Sequence, residues 1–202
     1  MRYLFINTST KKLIVAIVID NEIKFQYCED TSIDLSANIM PIIDEAFNKA
    51  NLTPNDIDAI FVTNGPGSFT GIRIGLTIAK VMAWSLNIKV IPISSLELMV
   101  SGVNSKYVVP MIDARRDYVF TALYDNELNI LMNDQYTLRD EFINKLSANE
   151  YVIVSHEFDY NEPKYDILKV INKHKNDNGV NPHELNPNYL KKTEAEEKLN
   201  RE

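Results

Sequence analysis

The chain has 202 residues, 45% of them hydrophobic and 24% charged, which suits one sizeable core or two small lobes. Its formal net charge of −7 argues against this chain alone gripping a nucleic-acid backbone, which needs a basic footprint. Cys28 is the only cysteine, so an internal disulfide is excluded, and no apolar run is long enough to span a membrane. Met1-Arg2-Tyr3 leads directly into Leu4-Phe5-Ile6, so no secretory leader is expected and a reducing cytoplasm is the expected compartment.

Residues 2–28 read as three strands. Tyr3 to Ile6 is followed by the polar turn Asn7-Thr8-Ser9-Thr10-Lys11. Leu13 to Ile19 is a continuous β-branched run, expected to be central and buried on both faces. After the turn Asp20-Asn21-Glu22 the chain returns over Ile23 to Tyr27. Residues 32–50 read as a helix with Leu35, Ile39, Ile42, Ile43, Ala46 and Ala50 on one face and Pro41 as a kink or a late start. Ile57 to Thr63 is a strand that runs into Asn64-Gly65-Pro66-Gly67, where glycine and proline break it.

A helix follows to Leu86, with Ser68 or Thr70 as its cap. The loop before it could present N–H groups to an anion or could be a plain strand-to-helix turn. It matches neither a Walker loop nor a dinucleotide fingerprint, because its glycines stand at 65, 67, 71 and 75. Gly71, Gly75, Ala79 and Ala83 form a stripe of small residues that lets another backbone approach closely. The other faces carry Ile72, Ile74, Leu76, Ile78, Val81, Met82, Trp84 and Leu86. A helix this apolar is buried on more than one side, against its own sheet alone or against a sheet and a partner.

Lys89 to Pro92 reads as a strand, and Ser94 with Glu97 has the spacing of a capping box for a third helix ending at Ser101-Gly102. A lobe boundary is expected near 102–106, giving lobes 1–104 and 105–202. In the second half, strands are expected at Tyr107 to Ile112, Tyr118 to Tyr124, Ile130 to Tyr136 and Tyr151 to Val154, with helices at Arg139 to Leu146 and Ile167 to His174. The tail from Thr193 to Glu202 reads as frayed. Both halves begin strand, polar turn, strand, strand, which hints at a duplicated lobe; the whole predicts mixed sheets with helices packed on them.

Few residues point to chemistry. His156, His174 and His183 share no ligand spacing and read as surface or incidental. Ser68 lacks a nucleophile elbow, and Cys28 reads as a small buried hydrophobe. The turn Asp113-Ala114-Arg115-Arg116-Asp117 could face a ligand or be a solvated hairpin. Asn7 cannot be an anionic metal ligand or a general base.

The run Gly65-Pro66-Gly67-Ser68-Phe69-Thr70-Gly71-Ile72-Arg73-Ile74-Gly75 resembles the signature of the TsaB (YeaZ-like) family. So do Leu4 to Thr10, Ser94-Ser95-Leu96, Ile112-Asp113-Ala114-Arg115, and Pro187 to Leu190 with Ala195-Glu196. The resemblance implies an actin/sugar-kinase/Hsp70-like α/β fold of two related lobes. It implies a non-catalytic dimerisation or scaffold subunit for a catalytic TsaD-like partner, working with a TsaE-like ATPase to place a threonylcarbamoyl group on the adenosine next to the anticodon of tRNA. No cofactor or metal is implied, tRNA is met only through the partner, and the chain alone could form a homodimer.

The catalytic paralogue's metal-binding His-x-x-x-His corresponds here to Leu35-Ser36-Ala37-Asn38-Ile39. Family members usually carry aspartate at the position of Asn7, and the segment His174 to Asn186 is short for the family. The expected docking residues are Ile39, Ile43 and Phe47 on the first helix and Gly71, Ile72, Gly75, Leu76, Ala79 and Ala83 on the second. On that reading a bulky residue at Gly75 or Ala79 disrupts assembly and leaves the fold intact. The alternative is an enzyme, a metal-dependent peptidase or a nucleotide-hydrolysing relative.

Overall fold

The computed structural model describes residues 1–31, 34–146 and 150–191. Residues 32 and 33 of the expected first helix, the tail 192–202 and, within it, Ala195 and Glu196 lie outside the described residues.

The first sheet contains β1 (Arg2–Asn7), β2 (Lys12–Ile19), β3 (Glu22–Asp30), β4 (Ala59–Gly65) and β5 (Lys89–Ser94) in the order β3-β2-β1-β4-β5. The first three strands form an antiparallel meander, whereas β4 and β5 add in parallel across helical connections α1 (Leu35–Ala50) and α2 (Phe69–Leu86). The second sheet, of β6 (Tyr107–Asp113), β7 (Tyr118–Asp125), β8 (Ile130–Leu138) and β9 (Val152–Val154), has the order β8-β7-β6-β9. It repeats the plan: an antiparallel meander whose first strand takes a parallel neighbour on its other side. The two lobes are therefore related, and mixed sheets flanked by helices are the architecture the sequence predicts.

The strand periodicity decides the layers. In β2, Leu13, Val15 and Ile17 face α1 and α2, while Ile14, Ala16 and Val18 face the core between the two sheets. Both sets are buried, which is why the run reads as continuously apolar. Helices α3 (Ser95–Val100) and α5 (Ile167–His174) contribute to the core between the sheets, and Phe142 of α4 (Arg139–Lys145) covers the far face of the second sheet. Every residue of α3 is buried.

Three local expectations change. Helix α1 begins at Leu35, before Pro41, which rules out the late start; the proline lies on its exposed face, where the carbonyl of Ala37 that loses its helical donor can meet water. Ser94 caps α3, accepting from the Leu96 amide at 3.2 Å. Glu97 does not close the capping box. It turns inward and binds Lys173 at 2.8 Å and His174 at 2.9 Å, tying α3 to α5. Two of the three histidines are not incidental either: His174 binds Glu97, and the His156 ring is held by Glu162 at 2.7 Å and Tyr165 at 2.6 Å, whereas His183 is exposed as expected.

Burial pushes the Glu97 carboxyl up, but hydrogen bonds from His174 and Lys173 outweigh it and leave its pKa below the usual value. Burial pushes His174 down, and its bond to Glu97 reverses this, so its pKa is raised. The raised histidine stabilises the fold fully below its unfolded pKa and loses that contribution as pH rises through the folded pKa. The lowered glutamate contributes above its unfolded pKa and loses it as pH falls through the folded one. His174→Gln is therefore expected to lower stability more at about pH 5.5 than at about pH 8.5, measured by urea unfolding at the two pH values.

Candidate functional site

The glycine loop and the β1–β2 turn form one unit. Asn7 leaves β1 fully buried and uses both ends of its amide. Its Nδ2 donates to the Lys12 carbonyl at 2.7 Å and to Thr10 Oγ1 at 2.9 Å. Its Oδ1 accepts from the hydroxyls of Ser9 and Thr63, each at 2.8 Å. Ser9 Oγ also meets Ser95 Oγ at 2.6 Å. The network thus joins β1, β4 and the start of α3. A carbonyl oxygen only accepts, so the group facing Lys12 must be a donor, which an amide supplies and a carboxylate does not.

The small-residue stripe of α2 packs on this turn. A Cβ on Gly71 would collide with the Thr8 carbonyl, one on Gly75 with Thr8 Oγ1, and one on Gly67 with the Ser9 carbonyl. Gly67 also has φ +148°, a conformation that L side chains rarely adopt. Ser68 N donates to the Ser9 carbonyl at 2.8 Å, and Thr8 Oγ1 donates to the Gly71 carbonyl at 2.7 Å. Ser68, rather than Thr70, is the cap, accepting from Gly71 N at 3.2 Å.

Close backbone approach, read from the sequence as a possible partner contact, is satisfied inside the chain. Gly71, Ile72, Gly75, Leu76, Ala79 and Ala83 are buried, as are Ile39, Ile43 and Phe47 of α1. The expectation that a bulky residue at Gly75 or Ala79 spares the fold is corrected: such a side chain meets the molecule's own β1 and its turn or its own core. What α2 presents outward is another row, with Phe69, Arg73, Thr77, Val81 and Trp84 exposed and Ile74, Ile78 and Met82 half-buried beside it. Trp84 is 64% exposed, Val81 56%, and Met40 on α1 50%. These three large apolar side chains were legible as letters, but only packing could show which face of each helix the core takes.

A cleft of about 700 Å³ opens beside the glycine loop. Pro66 to Phe69 line it with Ser9 to Lys11, Asp113 to Arg115, His156 and the C-terminal segment Asn188 to Lys191. The structure therefore brings the glycine-loop motif and the second-lobe turn to one cavity. In that turn Asp113 Oδ1 accepts from Arg115 N at 2.9 Å, and Arg115, Arg116 and Asp117 all have φ between +55° and +67°. Gly65, whose peptide bond to Pro66 is cis, lies under Asn188. Arg73 lies outside the cleft, its guanidinium 3.8 Å from the Phe69 ring centre.

Among the described residues no three His, Cys, Asp or Glu side chains converge to hold a metal ion. The thiol of Cys28 is pushed up by burial, away from thiolate character. No observation favours the peptidase or nucleotide-hydrolysing alternative. Gly75→Val is expected to destabilise the isolated chain by about 2–3 kcal/mol through overpacking against Thr8. Asn7→Asp, which sets a carboxylate against a carbonyl, should lower stability by about 1–3 kcal/mol. Denaturant midpoints at neutral pH check both.

Comparison with known proteins places this geometry in a family. A family profile described as TsaD: tRNA N6-adenosine threonylcarbamoyltransferase matches residues 27–171. The tRNA threonylcarbamoyladenosine biosynthesis protein TsaB of Bacillus subtilis is 32% identical over 157 residues, 74% of this chain and 68% of that protein. TsaB of Escherichia coli is 32% identical over 143 residues, 68% of this chain and 61% of that protein. The structure of YeaZ from Pseudomonas aeruginosa superposes with a TM-score of 0.82 at 20% identity, covering 94% of this chain and 99% of that one, and so shares the fold. On these matches the chain belongs to the TsaB (YeaZ) family within the wider threonylcarbamoyltransferase family.

Proposed function

We propose that this chain is an accessory, non-catalytic subunit in the biosynthesis of threonylcarbamoyladenosine in tRNA, and that it binds a TsaD-like catalytic subunit. The observation that carries the reading is the outward row of α2 around Val81 and Trp84. Two large apolar side chains, each more than half exposed, stand on one helix face beside half-buried Ile74, Ile78 and Met82. Exposed apolar area of this kind marks a protein-binding surface, and tryptophan is the side chain most enriched among the residues that dominate binding energy. On the same side of the first sheet, Met40 of α1 is 50% exposed as well.

The docking residues of the first reading keep a part in this account. Ile39, Ile43 and Phe47, with Gly71, Ile72, Gly75, Leu76, Ala79 and Ala83, hold α1 and α2 from beneath, and the partner meets the opposite faces. The same surface serves a second copy of the chain when the partner is absent, and a TsaE-like ATPase joins the larger assembly. With a net charge of −7, the chain meets tRNA through its partner, and it works in the cytoplasm. No described helix is long and apolar enough to cross a membrane.

Trp84→Ala is expected to weaken binding of the TsaD-like subunit from the same source by about 30-fold or more, as for a central interface tryptophan. Thermal unfolding of the free chain should be unchanged. Isothermal titration of the two proteins measures the affinity, and an unaltered Kd for Trp84→Ala and Val81→Asp removes this surface from the proposal.

A further inference from the structure

The C-terminal segment does not stay with the second sheet. Val180 N donates to the Val90 carbonyl at 2.9 Å, at the edge of the first sheet. His183 lies edge-on to Trp84 near the end of α2, and Leu185 is buried beneath the helix. Asn188 N then donates to the Asn64 carbonyl at 2.7 Å, over the glycine loop. The segment thus runs back along α2 from its last turn to its first.

At the first turn it meets a catch. The Tyr189 ring stacks on Phe69 with centres 5.0 Å apart, and its hydroxyl accepts from Arg73 Nε at 3.0 Å. The Arg73 guanidinium in turn covers Phe69. Two residues on, Lys191 Nζ lies 5.4 Å from the ring centre of Tyr136 on β8, in the other sheet. Asn188 to Lys191 therefore pass from the glycine loop to the second sheet and form one wall of the cleft.

We infer that Asn188 to Lys191 are a latch across the cleft and that Phe69, Arg73 and Tyr189 are its catch. The physical basis is an imbalance of anchoring. Leu185, upstream, is 2% exposed and fixed in the core, whereas Phe69 is 42% and Tyr189 39% exposed. Contacts made in water are worth little each, and one backbone hydrogen bond joins Asn188 to the loop. Segments of this kind open at far lower free energy than the core around them. The latch swings about Asn186-Pro187 and uncovers the wall at Ile112 and Ala114, both buried while the segment is in place.

The test uses the full chain and does not depend on any partner. Hydrogen exchange of the Asn188 amide is compared in wild type, Tyr189→Phe and Tyr189→Ala. In parallel, the rate of maleimide labelling is followed for Ala114→Cys in a Cys28→Ser background, since Ala114 lines the cleft and is 7% exposed. With Tyr189→Ala, both exchange and labelling should rise about tenfold, the loss of one aromatic stack and one hydrogen bond, while the core amides of β4 stay unchanged. Tyr189→Phe, which keeps the stack, should fall between. Unprotected exchange at Asn188 in wild type overturns the latch. So does faster exchange with unchanged labelling at position 114, because the segment would then not gate the cleft.

Discussion

The contact on which the rest of this molecule depends is the approach of α2 to the β1–β2 turn. Thr8 and Ser9 set carbonyl oxygens where side chains on residues 67 and 71 would otherwise stand. Without a Cβ there, the helix start sits on the turn, and hydrogen bonds from Ser68 N and Thr8 Oγ1 fix it. Two glycines inside a helix cost about 1 kcal/mol each in helix propensity; burial of Ile72, Leu76, Ala79 and Ala83 against the sheet offsets that. The same approach aligns Asn7, Thr63 and Ser95 in one satisfied network, so β1, β4 and α3 are set relative to one another by polar groups as well as by the core.

Much of this is legible in the sequence. The β-branched run Leu13 to Ile19 announced a strand buried on both faces, and the order strand, turn, strand, strand in each half announced the repeat seen in β3-β2-β1-β4 and β8-β7-β6-β9. The glycine loop declared its place between strand and helix because glycine and proline act locally. What a sequence could not decide was direction. A small-residue stripe says that a backbone comes close, not whose, and here it is Thr8 of the same chain. Glu97 illustrates the same limit. Its spacing from Ser94 suits a capping box, but a partner 76 residues away in sequence, Lys173, competes for it and wins with a partly buried ion pair. Tyr189 belongs to a recognisable signature, but its reach to Phe69 and Arg73 depends on the path of a segment that has little periodicity of its own.

The two faces of α2 differ in what they meet. The inner face of α2 consumes the glycines and alanines to close the fold; the outer face keeps Val81 and Trp84 exposed. Beside its first turn the cleft is bounded by the glycine loop and by Asn188 to Lys191 of the C-terminal segment.

The docking of this chain on a TsaD-like subunit is tested by light scattering on a size-exclusion column, with this chain alone and mixed with that subunit from the same source. A new species is expected at the summed mass of one copy of each protein, lost when Trp84→Ala is combined with Val81→Asp. Separate elution of the wild-type proteins at concentrations well above micromolar would contradict it.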